Sequence, residues 1–389
     1  MILTLDTEAT TYQTGHPFSR RNKLCAIALK EGDKPTVVFP IEYDAPVDRE
    51  TLEAIREAIS RASLVVGFNL KFDLHWLRKY DILLGSGKRL WCCQAAQFVI
   101  RNQTEKYPSL NSSCAYWNLG QKLDIIATEF WDKGLDTTDV PWELLSEYSV
   151  KDVDLTYSLF LRQQEYLRSN PKLERLISLV NQDLEVLAEM EWNGLMFNTS
   201  ESLKRCEQQQ QTIAEIDANI KELVGNYPVN PNSPDHVSAI LYGGSIEFVS
   251  RTPYDHTYKS GSRAGETHVR FHKETQVVNF PRLVNPLPKS ELAKDGFWST
   301  AEGTLRRLKA KGVARTIIKL LLARAKHEQL RSTYYEGWPR RIREMDWPEN
   351  TVHSQLNQSV VVTGRLSSSN PNQQNPPLEV QELVETRFV

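Results

Sequence analysis

Apolar and polar residues alternate from Met1 to Thr7 (MILTLDT), as in a strand whose side chains point by turns to its two faces. Two more strands are predicted at Cys25 to Leu29 and Thr36 to Pro40, the latter from its β-branched VVF core. Arg49 to Ala62 carries Leu52, Ile55 and Ile59 at helical spacing. Ser63 to Phe68 (SLVVGF) is a short buried strand that leads into a helix from Lys71 to Tyr80. Further helices are predicted at Gln94 to Asn102 and Leu144 to Leu167. Strands followed by interleaved helices indicate an α/β domain ending near residue 170. Pro171 to Tyr227 reads as long, charged helix. Gly244 to Pro288, rich in Gly, Pro, Ser, His and Arg, reads as an inserted loop or small β-ribbon. Helix returns from Ala301 to Arg343, and strand-like and turn-like pieces follow Thr351.

The length of 389 residues suggests two or three domains, each able to bury a core without disulfides or metals. No run of about 18 apolar residues is present, so no membrane span and no membrane partner are expected. The five cysteines form no CxxC pair and read as reduced thiols of a cytoplasmic protein. The net charge of -2 conceals asymmetry: residues 251–350 hold 20 Lys+Arg against 11 Asp+Glu, so the rest of the chain is acidic. That division suits a protein that grips a polyanion in one region and binds cations in another, although solvated helix faces would produce the same counts.

Three separated segments carry carboxylates in suggestive settings. Asp6 and Glu8 lie two apart on the opening strand and therefore share a face. Asp73 ends GFNLKFD, where a buried strand gives way to helix. Tyr148 and Asp152 are spaced i, i+4 and so lie on one helical face. Taken singly, each has a bland explanation: a surface acid pair, a helix cap, a packed aromatic. Converging carboxylates would need cations, and an all-oxygen donor set suits the hard ions Mg²⁺ or Mn²⁺. Two such ions about 4 Å apart can clamp a phosphodiester displacement.

LDTEAT, GFNLKFDLHWL and YSVKDVDLT together resemble the three motifs of the DEDD-type 3′–5′ exonucleases, with Tyr148 marking the DEDDy subtype. This is the proofreading domain of family A DNA polymerases, which has an RNase H-like fold. The resemblance implies Asp6, Glu8, Asp73 and Asp152 as ligands of two Mg²⁺ or Mn²⁺ ions. It implies Tyr148, assisted by Glu8, as the residue that orients the attacking water, and Asn69 as a neighbour of the 3′-terminal nucleotide. Asp154 lies outside the motif and reads as structural. Phe72, His75 and Trp76 are either core residues or stacking partners for terminal bases.

The second half continues the resemblance. VLAEMEWNG (Val186 to Gly194), Asn232-Ser233-Pro234, Ser299 to Glu302 and Ser332-Thr333-Tyr334 look like landmarks of a family A polymerase thumb, and TGRLSSSNPNQQNP (Thr363 to Pro376) is similar to the segment that opens the palm. The family pattern implies minor-groove contact by Arg365 and positions near the duplex for Asn372 and Gln374. Gln373 stands where the family has leucine. Arg306, Arg307, Lys309, Lys311, Arg315, Lys319, Arg324 and Lys326 are expected to track phosphates without reading sequence.

The expected architecture is an α/β RNase H-like DEDDy exonuclease domain with a mixed central sheet (1–170). A mainly α thumb with an insertion at about 244–288 (171–350) and an incomplete palm (351–389) follow it. The chain ends before the family's first polymerase aspartate, so it is expected to proofread without polymerising. Its expected partners are a single-stranded 3′ end, primer-template DNA and a C-terminal polymerase fragment. The insertion reads first as a variable DNA-facing or disordered loop, with a site for a processivity factor as the alternative. Apolar residues around Val360 to Val362 and Leu383 to Val389 are expected to be exposed for that fragment. Two other readings are an assembly module that complements a polymerase fragment and an RNase D-like RNA-processing nuclease. The latter shares the acids but not TGRLSS.

Overall fold

The computed structural model describes residues 1–85, 87–263, 265–292, 294–348 and 350–386. They form two compact units, one of residues 1–199 with 338–389 and one of residues 200–337.

The first unit is built on a five-stranded mixed sheet. Its strands are β1 (Ile2–Ala9), β2 (Leu24–Glu31), β3 (Val37–Pro40), β4 (Leu64–Gly67) and β5 (Arg89–Cys92), in the order β3-β2-β1-β4-β5. β1 pairs antiparallel with β2 and parallel with β4, so it lies in the middle of the sheet. Around the sheet come α1 (Arg49–Arg61), α2 (Leu70–Lys79), α3 (Cys93–Ile100), α4 (Leu110–Tyr116), α5 (Ile125–Glu129), α6 (Trp142–Arg168) and α7 (Pro171–Asn193). The Asp48 carboxylate caps α1 by accepting from the Thr51 amide at 2.7 Å. Alternation along β1 sends Leu3 and Leu5 into a core shared with Ile27, Ile55, Val65 and Trp76. A second core joins Val66 and Trp91 to Val99, Leu159 and Phe160. The predicted strands and helices up to residue 168 are present, whereas β5 had no sequence signal of its own.

The helical region expected to open a separate domain at residue 171 packs with the sheet. In α7, Asn181 accepts from the Cys92 amide at 2.7 Å, Leu184 joins the core of β1, and Ile177 joins that of α3 and α6. After α7 the chain turns at Gly194 into β6 (Leu195–Phe197). At Gly194 a Cβ would lie 2.7 Å from the Thr351 side chain and 2.8 Å from the Val352 carbonyl, and φ is +60°. Only glycine fits there, which gives the glycine of the MEWNG landmark a packing reason.

The second unit contains α8 (Thr199–Leu223, from Ser200 onward), α9 (Pro234–Tyr242), a ribbon of β7 (Gly244–Thr257) and β8 (Thr267–Phe280), α10 (Glu302–Leu305) and α11 (Gly312–Gln329). A turn of π-helix (Leu330–Tyr335) continues α11. The predicted ribbon is therefore one long antiparallel hairpin, with Gly244 opposite Phe280 and Thr257 opposite Thr267. Its base is anchored by buried Ile246 and Val278, while most of its length is exposed. Ile216, Ile240, Leu305, Ile317 and Leu321 form this unit's core.

Among the basic residues expected to track phosphates, Arg324 is corrected. It is buried, and it binds Asp217 through two nitrogens (2.6 and 3.1 Å) and Asn232 through a third (2.7 Å). Position 324 falls on the inner face of α11, one turn beyond Leu321. Removing a planar fork that satisfies three acceptors should cost roughly 2–4 kcal/mol. Arg324→Ala is therefore expected to lower the urea midpoint of this unit, and Arg324→Lys, which cannot reproduce the fork, should recover less than half the loss.

The remaining elements return to the first unit: α12 (Gly337–Met345, from Trp338 onward), β9 (Thr351–Val352), β10 (Gln355–Asn357), β11 (Ser367–Ser369), α13 (Leu378–Gln381) and β12 (Val384–Glu385). β6 sits between β12 and β9 in a small antiparallel sheet. This pairing corrects the expectation of an exposed tail, because Leu383 is buried. Val362 is exposed as expected, and residues 387–389 lie outside the described residues. Gln373, the departure from the family pattern, donates to the Val352 carbonyl at 3.1 Å and its amide donates to Ser368, so the loop is closed by polar bonds. Among the described residues no helix is long and apolar enough to cross a membrane, and the five cysteines are all free thiols.

Candidate active site

The acids assemble because β1 is central and its pairing with β2 keeps one register from Leu3 through Glu8, shifting only beyond it. Asp6 pairs with Ala28 and Glu8 with Ala26, so small side chains flank both carboxylates on the face covered by α6. From α6, Tyr148 and Asp152 project one turn apart onto the same face, and both are buried. The outcome is a three-carboxylate group: ligand atoms of Asp6, Glu8 and Asp152 all lie within 4.8 Å of one another. Asp73, on the first turn of α2, accepts a hydrogen bond from the Thr7 hydroxyl at 2.7 Å and adjoins Asp6 electrostatically, but it is not one of the three.

Gathering these acids is costly. Burial, with the Asp152 charge adding to it, raises the Asp6 pKa to about 7. Burial and the charge of Asp6 push Glu8 and Asp73 well above the ordinary carboxylate range. Burial raises Asp152 as well, against the opposing pull of Lys122. Tyr148, pushed upward by burial and by Glu8, remains a protonated hydroxyl donor at any working pH. The Oδ1 atom of Asp152 is buried with no hydrogen-bond partner. An orphaned oxygen beside two other carboxylates is the donor set a hard divalent cation accepts, so the residues present fit Mg²⁺ or Mn²⁺.

Lys122 had no signal in the sequence. It lies in an irregular segment between α4 and α5, outside the three motifs, yet its Nζ is 2.6 Å from Asp152 Oδ2 and 4.5 Å above the centre of the Tyr148 ring. Asp154, read as structural, accepts from Thr36 at 2.7 Å and pairs with Lys30 at 3.0 Å.

Asn69 is exposed at the N-terminus of α2. With Phe72, Gln94, Tyr107 and Asn357 it lines a cavity of about 190 Å³. Trp76 is fully buried and His75 nearly so, which assigns both to the core and leaves Phe72 alone of the three aromatic candidates half-exposed at the cavity. Arg365, Asn372 and Gln374 are exposed in the first unit. Arg306, Lys309 and Lys311 are exposed in the second, with Arg306 paired to Glu302.

A family model described as 3′–5′ exonuclease matches residues 2–168, and one described as DNA polymerase family A matches residues 254–389. DNA polymerase I of Synechocystis sp. is 28% identical over 315 residues, which cover 80% of this chain and 26% of that protein. The DNA polymerase of Bacillus phage SP01 is 23% identical over 384 residues, covering 94% of this chain and 40% of its own. The chain thus spans between a quarter and two fifths of the length of these relatives. A solved structure described as the POL domain of Pol1 from M. smegmatis in complex with DNA primer-template and dNTP shares the fold. It aligns with a TM-score of 0.67 at 14% identity, over 98% of this chain and 54% of that one.

Proposed function

Because the chain fits the N-terminal portion of a family A DNA polymerase, we propose that it is a metal-dependent 3′–5′ exonuclease of the DEDDy type, with an RNase H-like catalytic domain followed by the DNA-gripping thumb and the start of the palm. The observation that carries this reading is the gathering of Asp6, Glu8 and Asp152 ligand atoms within 4.8 Å, with Asp152 Oδ1 unpartnered. Asp6, Glu8, Asp152 and, from α2, Asp73 would hold two Mg²⁺ or Mn²⁺ ions. When bound, the ions acidify a water and neutralise charge on the phosphate. The chain's own contribution is to orient and exclude. Tyr148 donates its hydroxyl hydrogen toward the attacking oxygen, and Glu8 fixes the direction of attack. Asn69 and Phe72, at the start of the helix that also carries Asp73, would receive the terminal nucleotide. The product would be a 5′-nucleoside monophosphate. Arg365, Asn372 and Gln374, with Arg306, Lys309 and Lys311, would hold the duplex from which the 3′ end frays.

The test uses a 5′-labelled 20-mer single strand. In Mg²⁺ the label should move down a ladder one nucleotide at a time, and EDTA should stop it. A blunt duplex should be cut more slowly, because its terminus must first unpair. Shortening of a 3′-labelled strand from its 5′ end, or preference for the matching RNA, would overturn the reading.

A further inference from the structure

Lys122 is placed by anchors on both sides. Its amide donates to Asn111 Oδ1 at 3.0 Å, and its neighbour Leu123 packs into the cluster of Cys25, Val140, Leu145 and Tyr148. With the backbone fixed on both sides, the side chain runs across the Tyr148 ring, and only its ammonium reaches the acids. There it binds one oxygen of Asp152 and leaves the other, Oδ1, without a partner. The ammonium is close enough to Asp6 and Glu8 to stabilise their charged forms as well. Burial acts against the ammonium, and the carboxylates outweigh it. Among the described residues, no other basic side chain forms an ion pair with any of the four acids.

The charge balance assigns this lysine a task. Four carboxylates and two divalent cations are neutral together, and a neutral site has no long-range attraction for the phosphodiester it must receive. Lys122 leaves the loaded site with one positive charge in excess, which complements the single negative charge of that phosphodiester. We propose that Lys122 is a substrate-binding residue of the exonuclease site: its ammonium holds Asp152 while the site is empty and receives the phosphodiester of the DNA 3′ end once divalent cations occupy the carboxylates. The proposal rests on the exonuclease reading above.

Two effects of opposite sign follow. Removing a fixed cation from beside the acids should tighten binding of a free divalent cation. Removing the charge that meets the substrate should weaken binding of DNA. Loss of local structure alone would weaken both. Calorimetric titration of the DNA-free protein with MnCl₂ should therefore show Lys122→Met binding Mn²⁺ about tenfold more tightly than the parent. With an oligothymidylate substrate in saturating Mn²⁺, KM should rise about tenfold while kcat changes little, because the contact is made equally in ground and transition states. Lys122→Arg should restore KM to within about threefold of the parent. Should Lys122→Met lose its cooperative melt, Lys122→Gln carries the same two expectations. Unchanged or weaker Mn²⁺ binding in the charge-removing variant, or an unchanged KM, overturns the assignment. If the parent protein itself neither binds Mn²⁺ nor shortens the oligonucleotide, the exonuclease reading falls as well; if the parent does both and the variants match it, only Lys122 is wrongly assigned.

Discussion

Asp6→Asn and Asp152→Asn are expected to lower single-strand exonuclease activity by on the order of 10³-fold or more, equivalent to at least about 4 kcal/mol of transition-state stabilisation. Both side chains supply oxygens to the one three-carboxylate group among the described residues, and an amide in place of a carboxylate removes a negative charge and one anionic donor. Stability should move the other way. The Asp6 carboxyl titrates at about 7 in the folded chain and near 3.8 when unfolded, so the fold binds a proton that the unfolded chain has released. The resulting penalty is absent below about pH 3.8, grows through the interval, and is full above about pH 7. At pH 8, metal-free Asp6→Asn should therefore be more stable than the parent by on the order of 4 kcal/mol. Adding Mn²⁺ should raise the melting temperature of the parent and have little effect on that of the variant. Wild-type activity in either variant would mean that these acids do not form the reaction centre. A destabilised Asp6→Asn would mean that the site is not strained by its own charge.

The contrast between Asp152 and Lys122 shows how much the sequence could reveal. Asp6, Glu8 and Asp152 were legible because regular elements fix where side chains point: a two-residue step along β1 and a four-residue step along α6 each define a face. The sheet also follows from local pattern, since Leu3, Leu5, Val65 and Val66 signal strands wherever they pack. Lys122 was invisible because it stands in irregular chain, where spacing carries no direction, and its partner is 30 residues away. β5 (RLWC) and β6 (LMF) were missed because, unlike the equally short β3 and β4, they carry no β-branched residue to mark them as strands. Arg324 is the reverse case, a charge whose residue type suggested solvent and DNA, while its position on the inner face of α11 commits it to Asp217. The unit boundaries also escaped composition. The charged exterior of α7 reads as a new domain, but the side that decides packing carries Ile177, Asn181 and Leu184.

The largest stability loss is expected at Glu191, in the MEWNG landmark. Its carboxylate, at the end of α7, is buried and accepts from Lys71 and His75 of α2 and from the Leu356 amide of β10. The His75 contact is 2.7 Å, and since a carboxylate only accepts, Nε2 of the ring carries the hydrogen. Burial lowers the pKa of His75, so the ring is neutral at pH 7 and the charged pair is Lys71 with Glu191. Burial alone would raise Glu191, but His75 and Lys71 outweigh it and hold the carboxyl below its ordinary value. Glu191→Ala leaves the Lys71 ammonium with only the Leu356 carbonyl and takes the acceptor from His75 and the Leu356 amide, which should cost about 3–5 kcal/mol. For a unit of this size that is a fall in melting temperature of roughly 10 °C. Glu191→Gln retains one acceptor oxygen without the charge and should fall between the two. A carboxyl whose folded pKa is depressed stabilises above its unfolded pKa near 4.5, and the contribution disappears as pH falls through the folded value. The gap between parent and Glu191→Ala should therefore be full at pH 7.5 and narrow steadily below about pH 4.5. Calorimetric melts at several pH values test both points. A gap below about 1 kcal/mol at pH 7.5, or one that widens on acidification, would show that Glu191 does not tie motif helix α2 to the segment beginning at β9.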